Sequence, residues 1–166
     1  MILSPTTVKA IGAFATVTAL TTSSGVAAYS LLVTPAIRRA ADANPSLALA
    51  ELRPLFEGGK YVFPPAAMLN TILYLALAYA PPEKLVGFSI AAIGSFGIIP
   101  FTTFYMIPKT NNLLLDLDDR AKRGDKAVDG KSEEVRGLMN DFYWENVVRA
   151  GMYWVGGVVG LYTILF

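Results

Sequence analysis

The chain has 166 residues, 54% of them hydrophobic and only 16% charged, with a formal net charge of +1. A soluble domain carries about 25% charged residues, so the composition argues against a water-soluble fold, and the near-neutral balance excludes a basic footprint for nucleic acid. Cys and His are both absent, which removes disulfides, thiolate nucleophiles, cysteine-ligated clusters, and the commonest metal ligand and general base.

Charge is withheld from four stretches. Residues 10–37, 61–82, 85–108 and 150–166 contain no Asp, Glu, Lys or Arg. Apolar runs of about 20 residues cross the hydrocarbon core as helices. The pattern therefore predicts an all-α integral membrane protein, a four-helix transmembrane bundle forming one domain over residues 1–166. Its spans are expected at about 10–37, 62–80, 85–107 and 142–166.

The first span, Ala10–Ile37, is dense in Gly, Ala and Ser from Gly12 to Ala28. Small residues let helices approach closely in lipid. A cleaved signal peptide is the competing reading, but the run exceeds an apolar signal region of about 7–15 residues and only Lys9 precedes it. Residues 38–60 form a polar connection. Within it, Leu47–Phe56 is amphipathic and is expected as a short helix lying at the interface.

Pro64-Pro65 opens the second span, in the first turn where a missing N–H costs nothing. Pro81-Pro82 closes it at Ala80. The third span, Leu85–Ile107, contains Gly94 and Gly97, and Pro100 is expected to kink it. Residues 109–146 are the largest polar region. Their mixed-charge centre, Asp116–Glu134, reads as a solvated loop with a frayed helix. The fourth span begins as a polar helix near Glu133 and turns apolar from Val147 to Phe166. Its Gly156–Gly160 pair is a helix-packing pattern, which also allows association with a second copy. Tyr143, Trp144, Tyr153 and Trp154 read as an interfacial belt.

Lys and Arg cluster in the two long connections, with Arg38, Arg39, Arg53 and Lys60 in one and Lys109 to Arg136 in the other. Only Lys9 and Lys84 lie on the opposite side. The positive-inside bias places both long connections in the cytosol and both termini with the Pro81–Lys84 turn on the far side.

Polar residues near apolar spans are costly and mark function. Asn70 lies inside the second span; Lys109, Asn111 and Asn112 follow the third; Asp141, Trp144, Glu145, Asn146 and Arg149 enter the fourth. Arg149 has a structural reading, pairing with Glu145 one turn earlier or snorkelling to water. It also has a chemical one: a guanidinium that stabilises an oxyanion, with Asn146 donating a second hydrogen bond.

Four stretches resemble one family. IPFTTFYMIPKTNNLL (Ile99–Leu114), ENVVRAG (Glu145–Gly151), SSGVAAYSLLVTPAI (Ser23–Ile37) and FEGGKYVFPPAAML (Phe56–Leu69) are similar, in order, to the DUF1772 membrane family, which includes the fungal anthrone oxygenases. The family often shows Trp one turn before its Asn, whereas this chain has Phe142 there and Trp144 two residues before Asn146.

The resemblance implies a membrane oxygenase without cofactor, taking O2 as co-substrate and oxidising a hydrophobic aromatic anthrone to an anthraquinone in a polyketide pathway. It implies an endoplasmic reticulum or other endomembrane location. The catalytic set implied is Arg149, Asn146, Asn111 and Asp141, and the substrate-contacting set is Trp144, Asn70, Tyr29 and Lys109, with no metal ligand. Asp141, Glu145 and Lys109 all stand as the base. Three other functions compete: a scaffold acting through residues 109–146, a small transporter, and a four-span glutathione transferase. The last two lack, respectively, a carboxylate and an arginine-rich site deep in the spans.

Overall fold

A computed structural model describes residues 4–79 and 82–166. Ala80, the expected last residue of the second span, and Pro81, the first of the expected closing pair, lie outside the described residues. Among these residues there is no strand. Four helices are long and apolar enough to cross a membrane: α1 (Pro5–Ala43), α2 (Pro45–Tyr79), α3 (Pro82–Lys122) and α4 (Ser132–Leu165). The chain is a multi-pass membrane protein. The shortest of the four, α4, has 34 residues. At 1.5 Å per residue it is about 50 Å long, well beyond a hydrocarbon core of about 30 Å, so the helices also carry the polar sequence at the ends of the spans.

Leu47–Phe56 accordingly forms no separate interfacial helix; it is the start of α2. Asn44 alone separates α1 from α2, and its Oδ1 accepts the Leu47 N–H at 2.9 Å while Pro45 takes the first helical position. The apolar side of this stretch is covered by protein: Ala48, Leu49 and Leu52 are buried with Met106, Leu114, Leu117, Val135 and Met139. Because α2 starts at this cap, Pro64-Pro65 falls in the middle of the helix rather than at its opening.

Wider turns interrupt α1 and α3. Pro35 has no N–H to give the Leu31 carbonyl, and Tyr29–Val33 winds with i→i+5 bonds. Thr34 gives both its backbone N–H and its Oγ1 to the Tyr29 carbonyl. In α3 the break falls at Gly97, one turn before Pro100, which has no N–H to give the Phe96 carbonyl. From Thr102 to Asn111 the helix is again wide, with Pro108 inside.

Two compact units divide the chain. The first comprises Met1–Gly25, Val62–Pro100 and Arg149–Phe166. Its four helical segments pack on small residues. A side-chain carbon on Gly94 would meet the Gly156 nitrogen and the Met152 carbonyl oxygen at 3.1 Å, so only glycine lets these backbones approach. Tyr74 is fully buried beside Phe88. Lys84 Nζ donates to the Thr163 carbonyl at 2.6 Å, satisfying the last turn of α4. Phe14, Val17, Ile72, Ile93 and Tyr162 are exposed at span level, as lipid-facing positions should be.

The second unit comprises Val26–Tyr61 and Phe101–Val148. Its core joins Leu49 and Leu52 to Leu114, Leu117, Val128, Val135 and Met139, with Phe56 edge-on to Phe142 at 4.9 Å. The solvated loop expected at Asp116–Glu134 is largely helical, since α3 runs to Lys122 and α4 starts at Ser132. Arg53 pairs with Asp118 and Asp119, and Lys122 reaches Asp118 at 2.8 Å.

Candidate functional site

Within the second unit, the wide-turn segment of α3 brings Lys109 and Thr110 against α4. Thr110 is fully buried and its Oγ1 donates to Glu145 Oε1 at 2.8 Å. Lys109 Nζ lies 3.6 Å from the same oxygen and 3.2 Å from Asp141 Oδ2. It also donates to the Tyr105 hydroxyl at 3.2 Å and sits 5.0 Å from that ring's centre. Asp141 and Glu145 are one helical turn apart, so both carboxylates face one lysine.

The two carboxylates differ in environment. Asp141 and Lys109 each have side chains 44% exposed, whereas the Glu145 side chain is 5% exposed. Glu145 Oε2 is buried and has no hydrogen-bond partner among the described residues. A buried carboxylate oxygen held in place through its neighbour is a proton acceptor whose second atom is already oriented.

Asn146 is 3% exposed, and its Nδ2 donates to the Phe142 carbonyl at 2.9 Å, one turn back along its own helix. Asn111 ends the wide segment of α3; its Oδ1 is buried without a partner among the described residues. Tyr29 starts the wide turn of α1. Trp144 is 57% exposed and packs edge-on to Tyr143 at 5.0 Å. It lines a cavity of about 260 Å³ with Thr34, Pro35, Arg38, Asn140 and Tyr143.

Two further predicted residues belong to the first unit. Arg149 is buried, 8% exposed, with its guanidinium carbon 5.5 Å from the centre of the Phe63 ring. Tyr153, one turn on, is fully buried and donates its hydroxyl to the Phe63 carbonyl at 2.7 Å. Tyr153 is therefore interior and not part of the aromatic belt, because its position shares the buried face of α4 with Arg149, Gly156 and Gly160. Trp154, 57% exposed, fits the belt. Asn70 is fully buried, and neither atom of its amide has a partner among the described residues.

Among the catalytic and substrate-contacting residues chosen from sequence, the structure thus joins Lys109 to Asp141. Glu145, which the sequence left as one of three bases, is the one of the three that is buried, with one carboxylate oxygen held by Thr110. Thr110 was not singled out; its only signal was its place beside Lys109, on a proline-containing stretch. Among the described residues no cluster of acidic side chains is placed to hold a metal ion.

The family model described as Anthrone oxygenase matches residues 52–159. The anthrone oxygenase AgnL2 of Paecilomyces divaricatus is 28% identical over 152 residues, covering 89% of this chain and 91% of that protein. The anthrone oxygenase encC of Aspergillus fumigatus is 27% identical over 157 residues, covering 87% of this chain and 86% of that protein. No solved structure matches.

Proposed function

The chain belongs to the anthrone oxygenase family, and we propose that it is a membrane oxygenase converting an anthrone to an anthraquinone with O2 and no resident cofactor. The observation that carries this reading is the similarity along most of the chain to two anthrone oxygenases.

The chemistry asks little of a protein beyond a base, an oxyanion partner and a greasy enclosure. The central methylene of an anthrone is acidic because its carbanion is an aromatic phenolate. A base removes one proton. The anion gives one electron to O2, and the resulting radical pair collapses to a carbon–oxygen bond, forming a hydroperoxide. Loss of the second methylene proton with cleavage of the O–O bond releases water and leaves the new carbonyl. One oxygen atom enters the product and the other leaves as water, so the four electrons taken from carbon reduce one O2 fully.

In this reading Glu145 Oε2 accepts the first proton. Thr110 orients the carboxylate from its other oxygen. Lys109, near both Glu145 and the half-exposed Asp141, passes protons between them and water. Asn146 and Asn111 serve as amide partners of the enolate oxygen, and Arg149 carries over from the sequence as the candidate positive charge for that oxygen. The Lys and Arg bias supports a cytosolic side for the polar connections, and the family membership supports an endomembrane.

The test is oxygen uptake and quinone absorbance from purified protein given an anthrone with metals chelated. One O2 consumed per quinone, with one labelled atom from 18O2 in the product, is expected. Uptake no faster than the spontaneous rate, or uptake abolished by chelation, overturns the reading.

A further inference from the structure

Arg38 and Asn140 meet within the second unit, where Arg38 Nη1 donates to Asn140 Oδ1 at 3.0 Å. Both line the cavity of about 260 Å³ completed by Thr34, Pro35, Tyr143 and Trp144. This cavity is distinct from the carboxylate cluster. At 100° per residue, Asn140, Tyr143 and Trp144 lie on one side of α4, while Asp141 and Glu145 lie on the next. Arg149 and Asn146 face still further round.

The level of the cavity along the helices is set by sequence. Arg38 is the first charged residue after the apolar run that ends at Ile37, and Trp144 comes three residues before the apolar run that starts at Val147. The cavity therefore lies at the boundary between apolar and polar sequence. About two turns before Arg38 and one turn after Trp144 the surface is apolar and open: Leu31 is 57% exposed, Leu32 71% and Val148 46%.

We propose that this cavity binds the headgroup of an anionic phospholipid, with an acyl chain lying along Leu31, Leu32 and Val148. A polar recess above an exposed apolar strip has the layout of that molecule. Pockets for small ligands run from about 300 Å³ upward; at about 260 Å³ this one suits a headgroup and leaves the chains outside. Arginine matches phosphate oxygens with paired N–H donors. Asn140 accepts one of those donors and so fixes the plane of the guanidinium. Trp144 and Tyr143 form an aromatic wall of the kind that sits among headgroups. Basic recesses between spanning helices on the cytosolic side bind anionic headgroups. The wide turn at Tyr29–Val33, imposed by Pro35, sets where α1 presents Arg38. The proposal assigns Trp144 to lipid rather than to substrate and does not depend on the oxygenase reading.

The experiment reconstitutes the full-length protein in nanodiscs of phosphatidylcholine, with or without phosphatidylinositol. It reads lipid retention by native mass spectrometry and the unfolding midpoint. The wild type is expected to retain phosphatidylinositol selectively and to melt higher in its presence. Arg38→Gln should weaken that retention by at least about tenfold, the size of a lost charge-assisted pair, while Arg39→Gln leaves it intact. If Arg38→Gln does not accumulate, Asn140→Ala serves, and unchanged retention then overturns the proposal. Equal losses in the Arg38 and Arg39 variants would mean diffuse surface attraction. Inorganic phosphate reproducing the stabilisation would mean a small-anion site, and displacement of the lipid by an anthrone would give the cavity to the substrate. Each of those results sinks the proposal.

Discussion

Thr110 Oγ1 and Glu145 Oε1 are 2.8 Å apart, a buried hydrogen bond between residues 35 positions apart in the chain. The bond exists because the wide turns around Pro108 present Thr110 to α4. It uses one carboxylate oxygen and leaves the other, Oε2, without a partner among the described residues. Lys109 stands beside it, in contact with Asp141 as well. The arrangement separates one buried acceptor from one half-exposed carboxylate that meets water.

Glu145→Gln keeps the Thr110 contact, since the amide oxygen still accepts, but removes the proton acceptor. Loss of a general base lowers the rate by about 10²–10⁴-fold. Turnover of an anthrone should fall by that much while abundance and the unfolding midpoint stay near wild type. Asp141→Asn, at a half-exposed position, should cost far less. Single-turnover quinone formation measures both, and equal losses would remove Glu145 from the role.

Arg149→Ala should lower anthrone turnover much more than it lowers protein abundance, because the charge it would place on a developing enolate acts in the transition state. Arg149→Lys keeps the charge without the planar fork and should recover part of the rate. Parallel loss of rate and abundance in Arg149→Ala would make the residue structural, held over the Phe63 ring for packing alone.

Arg53 anchors α2 to the end of α3 through Asp118 and Asp119. The Asp118 side chain is 2% exposed, so Arg53→Met leaves a buried carboxylate with Lys122 as its remaining cation. Breaking a buried pair by removing one partner costs about 3–5 kcal/mol. Arg53 is itself 25% exposed, which screens part of that, and a loss of about 1–3 kcal/mol is expected. Removing both charges, in Arg53→Met with Asp118→Leu, should recover some of the loss. Denaturant titration in detergent reads the cycle, and strict additivity would deny the coupling.

The four spans were legible because hydropathy records the cost of moving charge into lipid, and among the described residues each charge-free run lies within one helix apart from its last residue in two cases, Pro82 and Phe166. What lies at the junctions was not. Leu47–Phe56 has the same amphipathic pattern whether its apolar side meets lipid or protein, and only the three-dimensional partners Leu114, Leu117 and Met139 decide for α2. Proline positions were legible as places where an N–H is missing. Their consequences were not, since the break in α3 falls one turn before Pro100, at Gly97, while Pro108 sits inside a long wide segment. Asp141 and Lys109 could be nominated singly from cost in lipid. Their meeting with Glu145 needed the register between α3 and α4, which no local pattern encodes. Arg38 carried only the signal of a topogenic charge.

Asp125 lies in the connection between α3 and α4, clear of all four helices. Arg120 holds its carboxyl below the usual range through hydrogen bonds of 3.0 and 2.8 Å, and the Ala127 N–H donates to it as well. A carboxylate with a depressed folded pKa binds fewer protons than in the unfolded chain. Its stabilising effect is therefore complete above the ordinary carboxylate pKa of about 4 and is lost as pH falls through the lower folded value. The difference in unfolding midpoint between wild type and Asp125→Asn should be constant from about pH 7 to 5 and shrink toward zero below about pH 4. A difference that stays constant through the acid range would mean the Arg120 contact contributes nothing in solution.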